Sequence, residues 1–179
     1  MAASAYPFHR KGPPGPSPLL SLCASPPEVI LGSDTQQQLY CHLLCGLRNS
    51  DSIDGIRAPY AAGLAMTFSL LKSKWRQLCE DIESSSVSSE IDDHIMRDAV
   101  KRVLGAPRPD LAKKIRECCG RESWGGILRE LWPEVRYIGC VTTGSMEQYY
   151  PILKFYAGES VPVLCGDYFA SECSIGILS

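Results

Sequence analysis

Five consecutive residues near the end of the chain, Tyr168-Phe169-Ala170-Ser171-Glu172, put an aromatic ring, a hydroxyl and a carboxylate in one short stretch. A ring such as that of Tyr168 is the flat apolar surface on which an adenine stacks. A hydroxyl such as that of Ser171, or a backbone N–H, serves a phosphate, and the hard oxygens of Glu172 suit magnesium. Upstream, Thr142-Thr143-Gly144-Ser145 reads as a turn. The pentapeptide alone is a common string, and a plain turn at a strand end accounts for it at least as well.

These stretches need elements to hold them. Tyr137–Val141 and Val161–Cys165 read as strands. Between them Met146, Tyr149, Tyr150, Leu153 and Tyr156 predict a helix that ends at Gly158. Strand, helix, strand is the unit of a parallel sheet, whose sites lie in the loops after its strands. Those loops are Thr142–Ser145 and Gly166–Glu172.

The preceding part reads as helical. Val29–Leu31 is a short apolar run fit for a strand. Ser33 with Gln36 predicts a capping box ahead of Leu39, Leu43, Leu44 and Leu47. Pro59 suits the first turn of a helix whose stripe is Leu64, Phe68, Leu71, Trp75, Leu78 and Ile82. Ser84–Ser89 reads as a loop. Ile91, Ile95, Ala99 and Val103 predict a helix stopped at Gly105, and Leu111, Ile115 and Cys118 another stopped at Gly120. Ser123 predicts the cap of a short helix through Ile127, Leu128 and Leu131.

Composition bounds the function. The 179 residues are 45% apolar and 21% charged, within the globular range, with 18 Lys plus Arg against 20 Asp plus Glu. A net charge of −2 argues against a dedicated nucleic-acid binder, and no apolar run is long enough to span a membrane. Nine cysteines, an odd number with no Cys-x-x-Cys pair, read as small apolar thiols in a reducing compartment, here the cytoplasm. His9 lies in the tail, and His42 and His94 lie on helices away from both loops. Residues 1–24 are rich in proline and glycine and read as a disordered tail. One arginine and no amphipathic helix count against an organelle transit peptide there. Walker, dinucleotide-binding, zincin and nucleophile-elbow motifs are all absent.

A longer set of residues resembles the plant GH3 family of acyl-acid amido synthetases, which are adenylate-forming enzymes. They run in order through Ser25-Pro-Pro-Glu-Val-Ile-Leu31, Gln38-Leu-Tyr-Cys-His-Leu-Leu-Cys-Gly46, Trp75-Arg-Gln-Leu-Cys-Glu-Asp-Ile82 and Trp124-Gly-Gly-Ile127. They continue through Leu131-Trp-Pro133, Thr143-Gly-Ser-Met146 and Lys154-Phe-Tyr-Ala-Gly158 to Tyr168-Phe-Ala-Ser-Glu172. The resemblance extends over 25–177 and leaves out residues 1–24, Leu178 and Ser179.

The resemblance implies an α/β fold: part of an adenylate-forming N-terminal domain over 25–179, helix-rich, with a few parallel strands near the C-terminus. It implies ATP and Mg2+ as cofactors, and a hormone carboxylic acid and an amino acid as the partners joined, without nucleic acid or membrane. Indole-3-acetic acid is the first expectation for the acid, with jasmonate or benzoate next. Tyr168 would stack on adenine, Ser171 would contact the α-phosphate or adenylate, and Glu172 would hold magnesium. Phe169 and Ala170 complete the nucleotide-binding stretch, and Thr143 lines the shared nucleotide and acyl-acid site. Phe169 departs from the small residue usual at its position. The Ser/Thr/Gly-rich phosphate loop and the Tyr-Arg-x-Gly-Asp motif of the family do not occur. The expectation is therefore a truncated piece, inactive alone; the rival is a non-enzymatic remnant or interaction fragment.

Overall fold

In the computed structural model residues 23–165 are described with their side chains, and residues 8–10, 168–169 and 174–176 by their backbone. The first well-packed helices owe their position to hydrogen bonds between them. α1 (Pro27–Ile30) is a single turn, with Pro27 at its first position, where no N–H is required. Val29 and Ile30 are thus helical and buried, where their apolar run predicts a strand. α2 (Thr35–Arg48) follows. Its cap is Asp34, one residue beyond the expected Ser33, and the carboxylate accepts from Gln37 N at 2.8 Å. Gln38 turns back to donate to the carbonyls of Val29 and Ile30, both at 3.1 Å, closing the end of α1.

β2 (Ile53–Tyr60) comes next, an element the apolar pattern does not reveal. Ile53, Ile56 and Ala58 are buried, but Gly55 and Pro59 interrupt the alternation. Pro59, expected in a helical turn, lies in the strand where the ladder to its neighbour shifts register, between Arg57 and Tyr60. α3 (Ala61–Ser84) then buries Leu64, Phe68, Leu71, Leu78 and Ile82, as its stripe predicts, with Trp75 half-buried at the margin. Its end is bound by Asp81, a buried carboxylate that accepts from Tyr40 Oη (2.8 Å), Ser88 N (2.8 Å) and Ser86 Oγ (3.3 Å).

α4 (His94–Leu104) buries Met96, Ala99, Val100 and Leu104. Ile95, placed on the buried stripe by spacing from Ile91, is exposed, because Ile91 precedes the helix and does not set its phase. Gly105 ends α4 with φ of 63°. α5 (Pro109–Cys119) packs along α3, and α6 (Ile127–Leu131) starts from Gly126 at φ 73°. Ser123 does not cap α6. Trp132, fully buried, donates from Nε1 to Gly46 O at 2.9 Å and ties this end of the layer to α2.

β3 (Tyr137–Val141) returns parallel to β2, and α7 (Tyr150–Ala157) leads to β4 (Val163–Leu164), parallel to β3. Tyr156 packs on Phe68 at 5.3 Å and edge-on to Trp124 at 6.4 Å, which seats α7 on the core. The sheet order is β1-β2-β3-β4, with β1 (Phe8–Arg10) antiparallel to β2. The tail reading of residues 1–24 has no place for that strand; three residues pairing through their backbone need no apolar pattern. The architecture is helix-rich α/β, as expected.

Candidate functional site

Tyr60 and Val141, the last residues of β2 and β3, are partners in the sheet, so the two parallel strands end side by side. β2 passes directly into α3, for which Tyr60 is the N-cap. No side chain caps the helix, and its first turn holds no acidic residue. The first N–H groups of an α-helix lack helical acceptors, and the dipole makes that end positive. The positive end of α3 thus stands at the carboxyl edge of the sheet, where α/β folds place ligands and where an anion is favoured.

β3 runs into Thr143, which is extended (φ −96°, ψ 164°) and exposed. Gly144 then takes φ of 61°, a left-handed turn that suits glycine. A side chain added at Gly144 would meet nothing within 4 Å, so the glycine serves the turn rather than a close contact. Met146 N donates to Thr143 O at 3.2 Å, opening a 3-10 helix (Gly144–Tyr149) that continues into α7. The Thr143 side chain makes no cap for that helix and is presented to solvent.

Beside this edge a cleft of about 450 Å3 runs between α2, α3 and the 3-10 helix. Ala62, Ala65 and Ser69 line α3, faced by Leu39, Tyr149 and Ile152. Among the described residues no charged side chain lines it, so it suits an apolar group and not a phosphate.

Of the expected residues, Thr143 is placed at a strand end. Tyr168 and Phe169 form β5, a two-residue strand antiparallel to β6 (Ser174–Gly176), with Tyr168 opposite Gly176 and Phe169 opposite Ser174. Ala170, Ser171 and Glu172 lie outside the described residues. Among the described residues no group of three or more His, Cys, Asp or Glu could hold a metal ion. Sequence reasoning missed the contribution of β2 and the start of α3. The only signal was Ile53, Ile56 and Ala58, an interrupted apolar set that runs directly into a long amphipathic helix.

The two histidines described with their side chains, His42 and His94, lie elsewhere. His42 is buried in α2, with Nδ1 2.6 Å from Ser25 Oγ, and burial pushes its pKa down to about 3, so it stays neutral. His94 is exposed at the start of α4. No helix among the described residues is long and apolar enough to cross a membrane.

Comparison with known proteins gives the arrangement a family. The model of the GH3 family N-terminal domain matches residues 1–163, so residues 1–24 fall inside the match rather than outside it. The Probable indole-3-acetic acid-amido synthetase GH3.6 of Oryza sativa subsp. japonica is 58% identical over 179 residues, 99% of this chain and 37% of its own length. The 4-substituted benzoates-glutamate ligase GH3.12 of Arabidopsis thaliana is 41% identical over 153 residues, 86% of this chain and 26% of its own. The solved GH3.15 acyl acid amido synthetase superposes with a TM-score of 0.83 at 37% identity, over 88% of this chain and 28% of that one. The chain therefore spans roughly a quarter to just over a third of the length of these relatives. With a family model matched over most of its length and the same fold in a solved member, the chain belongs to the GH3 family.

Proposed function

We propose that this chain supplies one wall of the nucleotide and acyl-acid site of an ATP-dependent amido synthetase, which joins a hormone carboxylic acid to an amino acid in the cytoplasm. The observation that carries the reading is the pairing of Tyr60 with Val141. It sets the uncapped, acid-free start of α3 beside the turn that presents Thr143. A carboxylate or phosphate at this edge meets a positive helix end and a hydroxyl.

Tyr168 stacks on adenine in this reading, Ser171 contacts the α-phosphate or adenylate, and Glu172 holds magnesium, with Phe169 and Ala170 in the same stretch. Magnesium, when bound, neutralises phosphate charge as the acid carboxylate attacks. The chain's own part is to hold the anions in line and to shape the pocket for the acid. Indole-3-acetic acid is the first choice of acid, in keeping with the name of the 58% identical relative; jasmonate and benzoates follow. The cytoplasmic setting is in keeping with the free thiols of the buried Cys41, Cys45, Cys79, Cys119 and Cys140.

The test uses a complete protein carrying this chain. It is given ATP, magnesium, an amino-acid mixture and each acid in turn, and acid-dependent pyrophosphate release and conjugate are measured. Release with indole-3-acetate above the other acids is expected; no acid-dependent release with any of them overturns the reading. The 179-residue chain alone is expected to make no conjugate, since it holds neither a Ser/Thr/Gly-rich phosphate loop nor a Tyr-Arg-x-Gly-Asp motif.

A further inference from the structure

Cys140 lies on β3, on the face where Ile138 is buried in the core. In the ladder between β3 and β4, Ile138 pairs with Val163 and Gly139 with Leu164. One residue further, the same register sets Cys140 opposite Cys165. Alternation agrees: Val163 packs against the core and Leu164 is exposed, so Cys165 faces inward on the same side as Cys140. Neighbouring strands lie about 4.8 Å apart, inside the range of roughly 4.4–6.8 Å between Cα atoms that a disulfide spans. Both thiols are free.

The two differ in access. Cys140 is 3% exposed, whereas Cys165 is half-buried at the end of its strand. Burial, and then the neighbouring Cys165, push the Cys140 thiol up to about 11. The cysteines of the helices do not combine these features. Cys41, Cys45, Cys79 and Cys119 are buried, and Cys118 lies on α5 rather than in a strand.

We propose that Cys140 and Cys165 form a thiol-exchange site for a small-molecule disulfide such as glutathione disulfide, with Cys165 the entry thiol and Cys140 the resolving thiol. The Cys165 thiolate attacks one sulfur of glutathione disulfide. A protein–glutathione disulfide forms, and one glutathione thiolate leaves and takes up a proton. Cys140 then loses its proton and attacks Cys165 Sγ, expelling the second glutathione and closing a Cys140–Cys165 bond. In sum two protein thiols are oxidised and one glutathione disulfide is reduced to two glutathiones. The bond would fasten β4 to β3 three residues before Thr143 and three before Tyr168. The exchange chemistry does not depend on the synthetase reading.

The experiment uses the full chain carrying Cys173→Ser, which removes a competing thiol, with and without Cys140→Ala; alanine leaves no polar group in the core. Each protein is equilibrated with glutathione disulfide and mapped without reduction by mass spectrometry. The chain that keeps Cys140 is expected to show a peptide pair linked through 140 and 165. Its glutathione adduct at Cys165 should be about tenfold or more lower than in Cys140→Ala, where the adduct persists. A Cys165→Ser chain should leave Cys140 unmodified. Equal adduct at Cys165 with and without Cys140, or no reaction at Cys165 in folded protein that reacts at Cys23 and Cys118, overturns the proposal. Circular dichroism of each variant establishes that it is folded.

Discussion

The helical layer and the carboxyl edge of the sheet treat polar groups in opposite ways. Within the layer, buried polar groups are met by the protein, Arg97 Nε excepted: Asp81 by Tyr40, Ser86 and Ser88, His42 by Ser25, and Trp132 Nε1 by the carbonyl of Gly46. At the edge, the Thr143 side chain is exposed, α3 begins without a side-chain cap, and Met66, Tyr150 and Ile152 are exposed nearby. A polar group buried without a partner costs roughly 1–3 kcal/mol, so a folded layer has to satisfy its own. A surface that receives ligands or further chain leaves its donors and apolar side chains open. The contrast separates the residues that hold the scaffold from those left open at the sheet edge.

The largest effect is expected inside the layer. Trp132→Ala removes a fully buried ring and its hydrogen bond to α2. It should cost about 3–5 kcal/mol, read as a lower denaturant midpoint. A loss below about 1 kcal/mol would mean that this end of the layer is not the firm scaffold described.

A second effect is pH-dependent. His42 has its folded pKa pushed down to about 3 from an ordinary 6.5, chiefly by burial. The unfolded chain therefore takes up a proton below the ordinary value while the folded chain does not. This contribution is fully favourable above pH 6.5 and is lost as pH falls from 6.5 toward 3. The slope should approach roughly 1.4 kcal/mol per pH unit below that value. In His42→Gln that part of the slope should vanish, although other groups keep theirs. Denaturant midpoints of both proteins from about pH 7 to about pH 5 give the difference, and parallel profiles would refute the neutral, buried histidine.

The smallest effect is expected at the edge. Met66→Ser, at a residue 47% exposed beside the cleft, should change stability by about 0.5 kcal/mol or less. A larger loss in the same unfolding experiment would move Met66 into the scaffold and blur the contrast.

The sequence shows the layer far better than the edge, for physical reasons. The stripe from Leu64 to Ile82 and the glycine stop at Gly105 follow from helical periodicity and left-handed geometry, and both hold in the structure. The interval from Tyr137 to Val163 reads correctly as strand, helix, strand because its apolar residues change period where the elements change. β2 escapes because Gly55 and Pro59 break its alternation, and with it goes the start of α3 at the carboxyl edge of the sheet. The turn that carries Thr143 is legible from Gly144, which takes a left-handed φ. Ser123 and Ser33 mislead because a hydroxyl before an apolar run is a common string, and which residue caps depends on chain direction set by packing.

The central claim is that the strand ends of this chain take part in acid activation. Its most direct test is pyrophosphate release by a complete synthetase carrying residues 25–177 of this chain in place of its own segment. Thr143→Val removes only the hydroxyl at the end of β3, and Glu172→Ala removes the proposed magnesium ligand. The account predicts that acid-dependent release falls roughly tenfold or more with Thr143→Val and roughly 100-fold with Glu172→Ala, both proteins remaining folded. Parental rates in both variants at saturating ATP and magnesium would contradict it.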